Sequence, residues 1–150
     1  MLNTKDNARS KQLAKNLSEL LPTYLMHMIP YVFKSIDMSM SQLIVLLTIE
    51  EKRICTLGEV SKEMRVSAPT MTGLIDRLER DGFVKRMPDK KDRRITRVEL
   101  TSQGRAITVK FRNNIMKRWV HILTKTPSKL GETIVDAIKT LNRGLQDGTI

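Results

Sequence analysis

Between residues 83 and 97 the chain places seven cations, Lys85, Arg86, Lys90, Lys91, Arg93, Arg94 and Arg97, against two anions, Asp89 and Asp92. Guanidinium groups bind phosphate oxygens through paired hydrogen bonds, and arginine is the side chain that enters a narrow minor groove. Just upstream, Pro69, Thr72, Gly73, Asp76 and Arg80 recur at helical spacing, with Arg77 to one side. These are small or polar residues on the face of a helix opposite its apolar stripe. A helix with such a face, feeding directly into a basic hairpin, suits a double helix of nucleic acid. The competing reading is a solvated hairpin whose charges guard against edge pairing. Two adjacent arginines at the tip exceed what that needs.

Other chemistries find little support. His27 and His121 have no companions at metal-ligand spacing, so no metal is expected. No nucleophile–base constellation, phosphate-binding glycine loop or G-x-S-x-G is present, so the chain reads as a non-enzyme without a cofactor. The single cysteine, Cys55, excludes an internal disulfide and fits a reducing, cytoplasmic setting. Between Ile54 and Leu57 it reads as a buried, inert thiol rather than a redox switch. The net charge of +11, from 27 Lys and Arg against 16 Asp and Glu, calls for a polyanionic partner. A membrane is the weaker candidate, since no run approaches the ~20 apolar residues of a spanning helix. Aromatics are 4% of the chain, so the core must be aliphatic, and stacking platforms for single strands are scarce.

The elements around the basic stretch follow from periodicity and capping. Residues 1–10 are polar and read as frayed. From Leu13 the apolar positions Leu17, Leu20, Leu21, Tyr24, Leu25, Met28, Ile29 and Val32 define a helix. Pro22 and Pro30 within it predict one bent helix or two in series. Ser39 with Gln42, and Thr56 with Glu59, are capping boxes opening two further helices, and Met38 can staple to Leu43. Ser67 is the N-cap of the next, with Pro69 in its first turn and Met71, Leu74, Ile75 and Leu78 facing inward. Asp81-Gly82 ends it, with the glycine as left-handed cap. Residues 83–87 and 95–100 read as strands. Helices follow from Thr101 and from Thr126-Pro127.

Residues 38–101 can nearly close a small core. The flanking segments, 1–37 and 102–150, carry apolar stripes wider than that core can cover, so two copies are expected to interleave their end helices as a homodimer. Two helix-turn-helix units related by a two-fold axis would read half-sites about one helical turn apart, ~34 Å, in a pseudo-palindromic duplex.

The segment LGEVSKEMRVSAPTMTGLIDRLERDGFVKRMPDKKDRRITRVELTSQG resembles the MarR family of winged-helix regulators. The LIDRLERDGFVKR run, the Asp92-Arg93-Arg94 triplet, and Leu100-Thr101 followed by Gly104 carry the resemblance. It implies a mainly α fold with a small β-wing: a winged helix-turn-helix domain at 38–101 between N- and C-terminal dimerisation helices. It further implies that Ser67, Pro69, Thr70, Thr72, Gly73, Asp76 and Arg77 face the major groove or its phosphate walls. Asp76 would orient Arg77 or simply face solvent. In the wing, Asp92 would aim Arg94 into the minor groove, while Lys90, Lys91 and Arg93 meet phosphates. A repressor released by a small aromatic or amphipathic effector is implied too, with Tyr24, His27, Met28, Tyr31 and Met38 as pocket residues. The charge alone would equally suit a sequence-tolerant architectural nucleic-acid-binding protein.

Overall fold

The computed structural model describes residues 4–89, 92 and 95–148. The chain opens with α1, Thr4–Val32, a single helix of 29 residues that contains both Pro22 and Pro30. Of the two expected courses the single helix is found, not two in series, and it begins within the first ten residues, which were expected to fray. Each proline forgoes one hydrogen bond to the carbonyl four residues earlier, a local loss that a long helix can carry. At its C-terminal end Met28 and Val32 are buried, and Phe33 meets Phe111 edge-on at 6.0 Å between ring centroids.

The capping boxes form as the sequence dictates. Ser39 caps α2, Met40–Lys52, reciprocally with Gln42. Thr56 caps α3, Leu57–Met64, with Glu59 in the same way. Arg65 then takes a left-handed conformation, φ 53°, which turns the chain sharply into Ser67 and α4, Ala68–Arg80. Gly82 follows at φ 79°, a region where a side chain would be strained.

A three-stranded antiparallel sheet completes this part. It comprises β1, Cys55–Thr56; β2, Val84–Pro88; and β3, Thr96–Leu100, in the order β1-β3-β2. Val84 pairs with Leu100 and Pro88 with Thr96 in the hairpin, while Cys55 pairs with Val98 across the other edge of β3. β1 was not expected from the sequence. Val45, Leu46, Ile49, Val60, Met71, Ile75, Leu78, Val84, Val98 and Leu100 make one contiguous aliphatic core. Met38 packs on its margin.

Thr101 caps α5, Ser102–Leu123, and α6, Ser128–Gln146, closes the chain. Pro127 stands at the N-cap of α6, one position before the first helical residue. Beyond the central core the end helices leave large apolar side chains in the open. Leu17, Leu20 and Met26 on α1 are 62%, 67% and 73% exposed, and Leu145 on α6 is 66% exposed. No described helix is long and apolar enough to cross a membrane.

Candidate nucleic-acid interface

The position of α4 follows from its inward face. Met71, Ile75 and Leu78 are buried completely, which fixes the helix rotation and turns its other side outward. Ser67, Pro69, Thr70, Thr72, Asp76 and Arg77 are exposed, and Gly73 is half-buried. Three hydroxyls near the start are engaged locally. Ser67 Oγ accepts from the Thr70 amide at 3.3 Å and lies 2.8 Å from Thr70 Oγ1. Thr72 Oγ1 donates to the Ala68 carbonyl at 2.9 Å. Those bonds hold the hydroxyls close to the helix surface, so the face stays shallow. A Cβ added at Gly73 would meet nothing within 4 Å, so no neighbour in the fold requires glycine there.

Asp76 does not orient Arg77 and does not merely face solvent. Its Oδ1 accepts from Arg86 Nη2 of β2 at 2.6 Å. Arg86 Nη1 also donates to Glu79 Oε2 at 2.6 Å, and the Arg86 amide donates to Glu79 Oε1 at 3.0 Å. One strand arginine thus clasps two carboxylates one helical turn apart on α4.

The other cations of the hairpin with described side chains are paired as well. Lys85 meets Glu99 at 2.7 Å, and Arg97 pairs with Asp89. Asp89 is only 8% exposed. Its Oδ1 also accepts from the Asp92 amide at 3.0 Å, and its own amide donates to the Ile95 carbonyl at 2.9 Å. The Ile95 amide in turn donates to the Asp92 carbonyl at 3.0 Å. The base of the turn is therefore built around a carboxylate that sequence reading took as a simple countercharge. The Pro-Asp dipeptide was the available signal, because aspartate in a turn binds backbone amides a few residues on. Lys90, Lys91, Arg93 and Arg94, and with Arg94 the expected Asp92–Arg94 contact, lie outside the described residues.

Of the five residues expected to line an effector pocket, four lie on α1 and Met38 follows it in the chain. Tyr24 lies against Trp119 at 6.2 Å between centroids, and Tyr31 carries the Arg118 guanidinium 5.3 Å above its ring. Met28 is a buried residue of α1, His27 is exposed with Nδ1 donating to the Thr23 carbonyl at 2.8 Å, and Met38 packs on the margin of the central core. Of the five, only Tyr31 borders a groove of about 590 Å³ between the end of α1 and α5, beside Lys34, Val109, Lys110, Asn113 and Lys117. Cys55 is fully buried, and burial together with the nearby Glu59 charge raises its thiol to about 11. Among the described residues no group of His, Cys, Asp and Glu is arranged to hold a metal ion.

Comparison with known proteins matches the central part of the chain most directly. The MarR family model matches residues 38–96. Over 72 residues, 48% of this chain and 45% of the other, the sequence is 39% identical to the uncharacterized HTH-type transcriptional regulator YfiV of Bacillus subtilis. The chain spans about half, or less, of the length of the curated relatives it matches. Among solved structures, a MarR family protein from Bacillus stearothermophilus superposes with a TM-score of 0.76 at 20% identity, covering 97% of this chain and 99% of that one. FabT of Streptococcus pneumoniae, solved in complex with DNA, superposes with a TM-score of 0.73 at 22% identity, covering 92% and 98%. The MarR family model thus covers the capped helices α2 and α3, α4 and the strands β1 and β2 at the centre of the chain, and the whole chain shares its fold with MarR-type winged-helix structures.

Proposed function

We propose that the chain is a transcriptional regulator that binds double-stranded DNA sequence-specifically as a homodimer, and that it is a repressor released by a small-molecule effector. The observation that carries the DNA-binding reading is the outer face of α4, whose small and polar residues stand exposed on a helix whose opposite face is locked into the core. Such a helix can enter a major groove without steric cost. In this reading Ser67, Pro69, Thr70, Thr72, Gly73, Asp76 and Arg77 face the groove or its walls. Lys90, Lys91, Arg93 and Arg94 reach phosphates and the neighbouring minor groove, and Asp92 orients Arg94. The division at 38–101 assigns recognition to the centre and dimerisation to the two ends. The similar Streptococcus pneumoniae protein, solved in complex with DNA, supports DNA as the partner.

The exposed apolar residues of α1 and α6 support the homodimer, because stripes of this kind are rarely left to water. The groove beside Tyr31 and three lysines supports an effector with an acidic group and an apolar body. A gel shift with duplex from the chain's own upstream region tests the reading. Specific retention in excess random duplex is expected, with a footprint of two half-sites ~34 Å apart. Displacement by random duplex would favour the sequence-tolerant architectural alternative, for which the charge of +11 is the support.

A further inference from the structure

We infer that Arg86 serves DNA binding without touching DNA, by offsetting one of the two negative charges of Asp76 and Glu79 on the helix that would face the duplex. This rests on the DNA-binding reading of α4 and adds a residue to it.

The geometry is specific. The Asp76 side chain is 56% exposed and that of Glu79 is 36% exposed, while Arg86 is 26% exposed. The carboxylates therefore stand toward solvent and the guanidinium lies behind them, on β2. Both contacts measure 2.6 Å, and a planar guanidinium can serve two acceptors at once where a lysine would serve as a point charge. The third bond, from the Arg86 amide to Glu79, ties strand to helix at the same place.

The electrostatic need is clear from the partner's chemistry. A duplex carries one phosphate charge per ~1.7 Å of axis, so an uncompensated carboxylate on a groove-entering helix is repelled at any register. Asp76 lies in the same helix as Thr72 and Gly73, one turn further on. With Arg86 in place the three groups carry a net charge of −1 in all, rather than −2. The cation's position behind the helix also keeps it from steering the dock itself.

Binding of the protein to its own upstream duplex is measured for wild type, Arg86→Gln and the double variant Glu79→Gln/Arg86→Gln. Arg86→Gln is expected to weaken binding on the order of tenfold at ~0.1 M salt, where the screening length is ~10 Å. The deficit should narrow as salt is raised. The double variant leaves Asp76 in place and returns these groups to a net charge of −1, so it should bind within about threefold of wild type. A double variant as weak as Arg86→Gln overturns the inference, pointing to a direct phosphate contact or to backbone positioning. A deficit that persists unchanged at high salt overturns it in favour of positioning. Should Arg86→Gln fail to fold by circular dichroism, the double variant against wild type still decides. A wild type that binds no duplex overturns the DNA-binding reading and this inference with it.

Discussion

Gly104, in the first turn of α5, lies so close to Phe83 that a Cβ at this position would overlap the Phe83 carbonyl oxygen. The same carbonyl accepts from the Thr101 amide at 3.1 Å, and Thr101 Oγ1 donates to the Gly82 carbonyl at 2.6 Å. The start of α5 is thus moored to the chain leaving α4, and the clash would be with backbone that cannot swing aside. Gly104→Ala is expected to destabilise the protein by about 1–3 kcal/mol, the usual cost of overpacking. Urea unfolding checks this, and a midpoint equal to wild type would show that the two segments slide apart freely.

Glu50 joins α2 to α5. Its Oε1 accepts from Thr108 Oγ1 at 2.7 Å and its Oε2 from Arg112 Nη2 at 2.7 Å, with Thr108 wholly buried. Burial works against the charged carboxyl, but the hydrogen bonds from Thr108 and Arg112 outweigh it and hold Glu50 below its ordinary value of 4.5. A folded-state value below the unfolded one adds stability that is present above pH ~4.5 and is lost as pH falls through the folded value. Wild type should therefore lose stability on acidification below pH ~4.5, and Glu50→Gln should lose less over the same interval. Thermal melts of both proteins from pH 6 downward test this; parallel curves would remove Glu50 from the acid response.

Features encoded within four residues of one another were legible in the sequence. Ser39 with Gln42, Thr56 with Glu59, Ser67 and the inward face of Met71, Ile75 and Leu78 all formed as their spacing dictates. What escaped was encoded between distant residues. β1 is two residues long, too short for any alternation, and exists because Val98 passes beside Cys55. The end of α1 is fixed by α5, where Lys110 Nζ donates to the Ser35 carbonyl at 2.6 Å and Asn114 Nδ2 to the Val32 carbonyl at 3.0 Å. The basic hairpin was legible as a cluster, but the partners of Lys85, Arg86 and Arg97 depend on strand register and on how β2 meets α4. The sequence shows seven cations in this stretch; the three with described side chains are all paired within the fold.

Cys55 offers a test of burial against reactivity. The thiol is inaccessible, and burial with the Glu59 charge raises it to about 11, so at neutral pH it is protonated as well as shielded. Thiolate is the reactive form. A disulfide-exchange reagent at pH 7.5 should label the native protein negligibly and label it fully in denaturant. Rapid native labelling would place Cys55 in an opening segment and restore the redox-switch reading.

Gly73 separates the demands of fold from those of recognition. It sits in the interior of α4, where glycine costs backbone entropy, and a Cβ there has nothing within 4 Å to meet. The fold alone would favour alanine. Gly73→Ala is therefore expected to raise stability by about 0.4–1 kcal/mol. A duplex seated on this face leaves no such room, because the added methyl stands between the helix and the groove. The same variant should weaken DNA binding by about 1–2 kcal/mol, roughly tenfold in affinity. Urea unfolding and duplex titration on one preparation give both numbers. Higher stability with unchanged DNA affinity would move the duplex off this part of α4.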